Sequence, residues 1–241
     1  MLDDNELKSL LFVDIETVAK YQNLKDIPDA EMQNLWVQQA KQSYSYQIKD
    51  GLTEAELWSS KAALHPEFAK IVVISMGYLV LENETTILKV KPLYGDNEVE
   101  LLNSLSFVLS RPTPKIDHLV AHNGKKFDFP FLFKRYLING LAVPELLKTI
   151  GKKPWELPNI DTMELWNCGF NGYYSSLDLL CKLFNSPVKR VLDSSKIHDT
   201  YYVENDLEKI AKHCVADVVA VAKVLLKIYG INRTINDLIV V

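Results

Sequence analysis

The chain has 241 residues, 48% of them apolar, and a formal net charge of −4 from 27 Lys plus Arg against 31 Asp plus Glu. This suits a globular α/β domain with a sizeable core and excludes the bulk basic signature of a nucleic-acid coat protein, while leaving room for a local basic rim. Cys168, Cys181 and Cys214 have no zinc-type spacing, and an odd count builds no disulfide framework, which fits a reducing cytoplasm. The start, MLDDNELKSL, lacks the basic n-region of a signal peptide, and no apolar run approaches membrane-spanning length. A cytoplasmic protein with no membrane contact is therefore expected.

Residues 7–18, LKSLLFVDIETV, are apolar and β-branched and predict a buried strand. Residues 22–65 are polar and read as a helical insertion. Asp29 stands before an amphipathic run with Met32, Leu35 and Trp36, and Thr53 with Glu56 makes a capping-box pattern. Strands are predicted over 68–81 and, after a polar turn at Glu82-Asn83, over 84–95. Helical periodicity covers 97–110, a fourth strand 116–123, and a helix FPFLFKRYLING with Asn139-Gly140 as its stop. A fifth strand lies near 157–163, followed by helices at about 176–185 and 203–229. A three-strand meander followed by alternating helices and strands predicts one domain, 1–241, with a mixed five-stranded sheet flanked by helices. The apolar tail TINDLIVV fits docking on its own core or on a partner.

Asp14 and Glu16 are two apart on the first strand, so period two puts both side chains on one face. Adjacent carboxylates repel and resist desolvation. A divalent cation removes both costs, and hard oxygen ligands suit magnesium or manganese. A solvent-facing polar strand is the commoner reading of Asp-x-Glu alone. Asp217 lies beside the helical stripe Ile210, Cys214, Val218, Val221 and Leu225, with no Lys or Arg three or four positions away. It therefore needs a partner from elsewhere, a cation or another core group. His213 is one turn earlier on the same face. Asp128, just ahead of Phe129-Pro130, reads as a helix N-terminus and can equally present a carboxylate to a metal.

Together, VDIET with Asp14 and Glu16, AHNGKKFDFPFL with Asp128, and HCVAD with Asp217 resemble the three exonuclease motifs of the DEDD (DnaQ-like) superfamily. They are most similar to predicted stand-alone 3′–5′ exonucleases related to the proofreading domain of family-B DNA polymerases. The resemblance runs from residue 10 to about 228. It implies an RNase H-like fold and hydrolysis of phosphodiester bonds at the 3′ end of single-stranded DNA with two divalent ions, Mg2+ or Mn2+. It further implies that Asp14 bridges the ions, that Glu16 and Asp217 complete one site, and that Asp128 holds the other. RNA as substrate, or a catalytically silent nucleic-acid-binding module, are the alternatives. That branch carries a Tyr four residues before its last Asp, where this chain has His213. The imidazole is expected either to act as general base or only to orient water.

A polyanionic substrate predicts a basic rim. Lys125-Lys126, Lys152-Lys153 and Lys189-Arg190 are candidates, with Lys125 and Lys189 favoured as strand contacts. Thr17 and Asn123 adjoin the carboxylate motifs. Of Phe127 and Phe129, one is expected in the core and the other on a base, and Phe129 is the candidate for stacking. The resemblance places the segment SSLDLLCKLFNSPVKR near the substrate, with Ser176 as its contact. Ser175 and Asp178 also form a capping pattern. The insertion is expected either to wall the single-strand channel or simply to pack on the sheet through Trp36 and Trp58.

Overall fold

The computed structural model describes residues 2–82, 85–112, 115–148, 150–153, 156–170, 172, 174–231 and 233–241. The chain opens with a one-turn helix, α1 (Asp4–Lys8), whose last residues the apolar pattern had placed in the first strand. Asp3 causes this: its side chain accepts the Asn5 and Glu6 N–H groups while Glu6 reaches back to the Asp3 N–H. Strand β1 then runs Leu10–Ala19.

The insertion is helical as expected: α2 (Ala30–Ser43) capped by Asp29, α3 (Ser45–Lys49), and α4 (Glu54–Lys61) with the Thr53–Glu56 capping box. It has its own core, formed by Trp36, Trp58, Leu57, Ala40, Ile27 and Phe68. The Trp36 and Trp58 rings meet edge to face at 5.2 Å. Each indole N–H is satisfied, by the Glu54 and Tyr21 carbonyls respectively. Leu35, expected in the stripe, is instead exposed. Trp36→Ala is expected to cost about 3–5 kcal/mol, read as a lower urea midpoint. An unchanged midpoint would mean that this cluster does not hold the insertion.

Strands β2 (Ala69–Glu82) and β3 (Thr85–Tyr94) complete the meander. Asn83, part of the expected turn, and Glu84, the expected start of the third strand, lie outside the described residues. Next come α5 (Glu98–Leu109), β4 (His118–Ala121) and α6 (Asp128–Ile138), which ends at Asn139 and at Gly140 with φ 66. Strand β5 is only Ile160–Asp161. The Asp161 carboxylate accepts the Met163 and Glu164 N–H groups and turns the chain into a short helix, α7 (Thr162–Trp166). Helix α8 spans Leu177–Leu183. A single turn, α9 (Ile197–Asp199), and a π-helical turn over Thr200–Glu204 lead into the long α10 (Leu207–Ile228).

The sheet has six strands, ordered β5-β4-β1-β2-β3-β6, where five were expected. The sixth, β6 (Ile235–Val240), is the apolar tail, pairing parallel with β3 from Thr86↔Ile235 to Val90↔Val240. An uncovered β3 edge would expose unpaired N–H and C=O groups, and the tail satisfies one side of that ladder. The tail thus docks on its own sheet. Helices cover both faces. Phe12, Leu88 and Val90 pack against Val218, Val221 and Leu225 of α10, while Leu11, Val13 and Ile15 pack against α5 and α6. Period two therefore turns Asp14 and Glu16 toward α10. Gly77 permits that approach: a Cβ there would lie 2.7 Å from Val218 Cγ1. Among the described residues, no helix is long and apolar enough to cross a membrane.

Candidate active site

Strand β4 pairs with β1 only as far as Phe12↔Val120. Beyond that, the β4-side edge of β1 is open, and the Ile15 N–H donates to Asp128 Oδ1 at 3.3 Å. This is how the start of α6 reaches a site built by β1 and α10. On the other side, the ladder with β2 slips between Glu16 and Thr17, with Glu16 opposite Val73 and Thr17 opposite Ile71. Such a bulge re-aims the strand just where its carboxylates end. The Thr17 hydroxyl donates to the Ala63 carbonyl at 2.7 Å and ties β1 to the insertion.

From α10, Cys214 faces β1. Its thiol donates to Asp14 Oδ2 at 3.1 Å and to the Asp14 carbonyl at 3.3 Å. His213 and Asp217 flank it. His213 Nε2 lies 3.6 Å from Glu16 Oε1, 4.0 Å from Asp217 Oδ2 and 3.2 Å from Ser194 Oγ. Donor atoms of Glu16, His213 and Asp217 fall within 4.8 Å of one another, as do those of Asp14, Glu16 and Cys214. The structure thus brings together all five residues singled out in the sequence.

Their environment disfavours charge. Burial, then repulsion from Asp217 and the neighbouring carboxylates, drives Asp14 and Glu16 well above the carboxylate range. Burial pushes Asp128 up to about 7, against the N–H bonds from its own backbone and Ile15 and with help from Asp161 and Asp217. Burial lowers His213, although the Asp217 charge works the other way. A ring of buried like charges of this kind calls for a cation.

Arg190 is a cation that meets this ring. Its Nε donates to Asp217 Oδ1 and its Nη1 pairs with Asp178 Oδ1. Asp217 therefore does have an ion-pair partner, supplied from 27 residues earlier in the chain. Of the Lys189-Arg190 pair, the member facing the site is Arg190, whereas Lys189 is exposed and lines neither cleft.

The other expected contacts are distributed unevenly. Two clefts, of about 650 and 460 Å³, meet at Asp14 and Asp217. Thr17 and Asn123 line the smaller one and Ser176 the larger. Asn123 has φ 61 and gives its N–H to Asp161. Ser176, not Ser175, caps α8. The Ser175 carbonyl instead accepts from His122 Nε2. Lys125 is held away from the carboxylates by Glu164, at 2.5 Å. Phe129 is 2% exposed and packs in the core, so it is not free to stack, and Phe127 is the ring that lines the cleft. His122, Tyr174 and Ser194 line both clefts and were missed in the sequence. His122 and Tyr174 stand on irregular segments and Ser194 opens a single 3-10 turn (Ser194–Lys196), and only the AHN context of His122 hinted at a place here. Within the insertion the tryptophans pack inward, while Ser59, Ser60, Lys61 and Leu64 wall the smaller cleft.

A meander followed by parallel strands, with helices on both faces and two acids on an interior strand, is an RNase H-like α/β fold. It is similar to the family B DNA polymerase from the hyperthermophilic archaeon Pyrobaculum calidifontis, with a TM-score of 0.50 at 15% identity over 90% of this chain. The chain spans 24% of that polymerase chain, and the likeness bears on the fold alone. A family model described as "predicted 3′–5′ exonuclease related to the exonuclease domain of PolB" matches residues 62–237, and the chain belongs to that family. The matched span contains Asp128, His213 and Asp217. Asp14 and Glu16 precede it and join the site through the geometry of β1. No curated protein matches the chain.

Proposed function

We propose that the protein is a metal-dependent 3′–5′ exonuclease that removes nucleotides from single-stranded DNA, using Asp14, Glu16, Asp128 and Asp217 as its metal ligands. The observation that carries this reading is the convergence of four carboxylates from β1, α6 and α10 where two clefts meet. The donor set fits hard divalent ions such as Mg2+ or Mn2+. Three of the four acids are pushed toward protonation by burial and each other's charge, and a cation relieves that. When bound, two such ions supply an activated water and neutralise the leaving 3′ oxygen.

The chain's own residues supply the rest. Burial keeps His213 neutral near neutral pH, so its Nε2, facing Glu16 and Asp217, is able to orient water and accept its proton. Phe127 and Tyr174 offer ring faces to bases, a contact that tolerates any sequence. Lys61, on the wall of the smaller cleft, offers a cationic donor to the backbone phosphates. A silent binding module would have no use for a buried repulsive cluster, which favours the catalytic reading. Three free cysteines suit a reducing cytoplasm.

The test uses end-labelled single-stranded DNA and RNA of one sequence, with manganese, magnesium or chelator. Stepwise shortening of DNA from the 3′ end is expected with either metal and none with chelator. Shortening of RNA alone would reassign the substrate, and no metal-dependent shortening of either would overturn the enzyme reading.

A further inference from the structure

Arg190 is placed as no step above requires. It lies in the coil between α8 and α9, with its side chain only 17% exposed, along the wall of the larger cleft. Its two acidic partners are unlike. Asp217 belongs to the carboxylate cluster and its side chain is 17% exposed, whereas that of Asp178 is 72% exposed at the rim. The guanidinium thus bridges the candidate metal site and the mouth of the larger cleft.

Two physical consequences follow. A guanidinium and a divalent ion compete for the charge of Asp217. Once an ion takes that charge, the ion-pair partner left to Arg190 among the described residues is Asp178 at the solvent-screened rim, and such exposed pairs hold weakly. A planar fork of N–H donors so released matches a phosphate bidentately.

We propose that Arg190 is a metal-gated phosphate-binding residue: it neutralises Asp217 until the metal arrives, then passes to a phosphodiester of the bound strand. This rests on the exonuclease reading. It adds a coupling, in which metal loading creates one strand contact and prevents the site from holding Arg190 and metal equally well.

The test compares the parent protein with Arg190→Gln. Calorimetric titration with manganese is expected to show several-fold tighter binding in the variant, because the competitor is gone. Binding of labelled single-stranded DNA is then followed against salt, once in chelator and once with calcium in place of manganese, with strand length checked after each reading. In calcium, the variant's slope of log K against log salt is expected to be shallower by about 0.7, the value of one phosphate contact on a single strand. In chelator the two slopes are expected to lie close together. Arg190→Lys keeps the charge without the fork, so it should restore the slope and tighten manganese binding less; it also serves if the Gln variant does not fold. Equal slope loss in both conditions would mean a fixed contact and overturn the gating. Manganese binding in Arg190→Gln no tighter than in the parent would overturn the exchange. A parent protein that binds no manganese would instead overturn the exonuclease reading, and this inference with it.

Discussion

Asp14→Asn is expected to lower the single-turnover rate of metal-dependent trimming on the order of 10³-fold while leaving the protein folded. Asp14 stands at the junction of the site. It lines both clefts, receives the Cys214 thiol, and is repelled by Asp217, Glu16 and Asp128. Asn has the same shape and keeps an oxygen for the thiol, so packing survives. What is lost is one of the charges that would attract a cation. In chelator the variant should melt no lower than the parent, because a buried repulsive charge has been removed. Asp217→Asn should give a similar loss, and the double variant little more, since ligands of one metal site act as a unit. A rate for Asp14→Asn within tenfold of the parent, with melting unchanged, would remove Asp14 from the catalytic centre.

Much of this site was legible because its signals are local. Period two on an apolar strand put Asp14 and Glu16 together, and the helical stripe of α10 placed Asp217 and His213 beside it. The absence of a basic residue three or four positions from Asp217 correctly announced a distant partner. That partner could not be named, because Arg190 reaches it from irregular chain with no periodicity to aim it. The error over Phe129 has a similar origin. Nothing in the sequence decides which of Phe127 and Phe129 faces inward, and α6, beginning at Asp128, turns Phe129 into the core. At the edges of the sheet, pairing partners decided what composition did not. The tail became β6 only because β3 offered an open edge, and β5 stopped after two residues because Asp161 caps the next helix.

Asp128→Asn is expected to stabilise the metal-free protein at pH 8 by on the order of 2–4 kcal/mol while abolishing activity. Asp128 is pushed up to about 7, chiefly by burial. A carboxyl group raised in the folded state contributes stability that is fully present below its unfolded pKa, about 4, and lost as pH rises through its folded value. At pH 8 the parent therefore carries the whole cost of the ion. The neutral amide of the Asp128→Asn variant carries none of it, so the advantage of the substitution should shrink as pH falls from 8 toward about 4. His213, His122, His198 and His65, lowered by burial, act in the opposite sense as pH falls below about 6.5. Both proteins carry them, so they largely cancel in the difference. Urea denaturation in chelator at pH 8, 6 and 5 reads this directly, and a variant no more stable than its parent at pH 8 would refute it. Manganese should reverse the ranking, because it binds the deprotonated acids and so stabilises the parent increasingly as pH rises. A fold that holds these charges together at a cost in stability, recovered only when a cation arrives, is better explained by chemistry at the site than by packing.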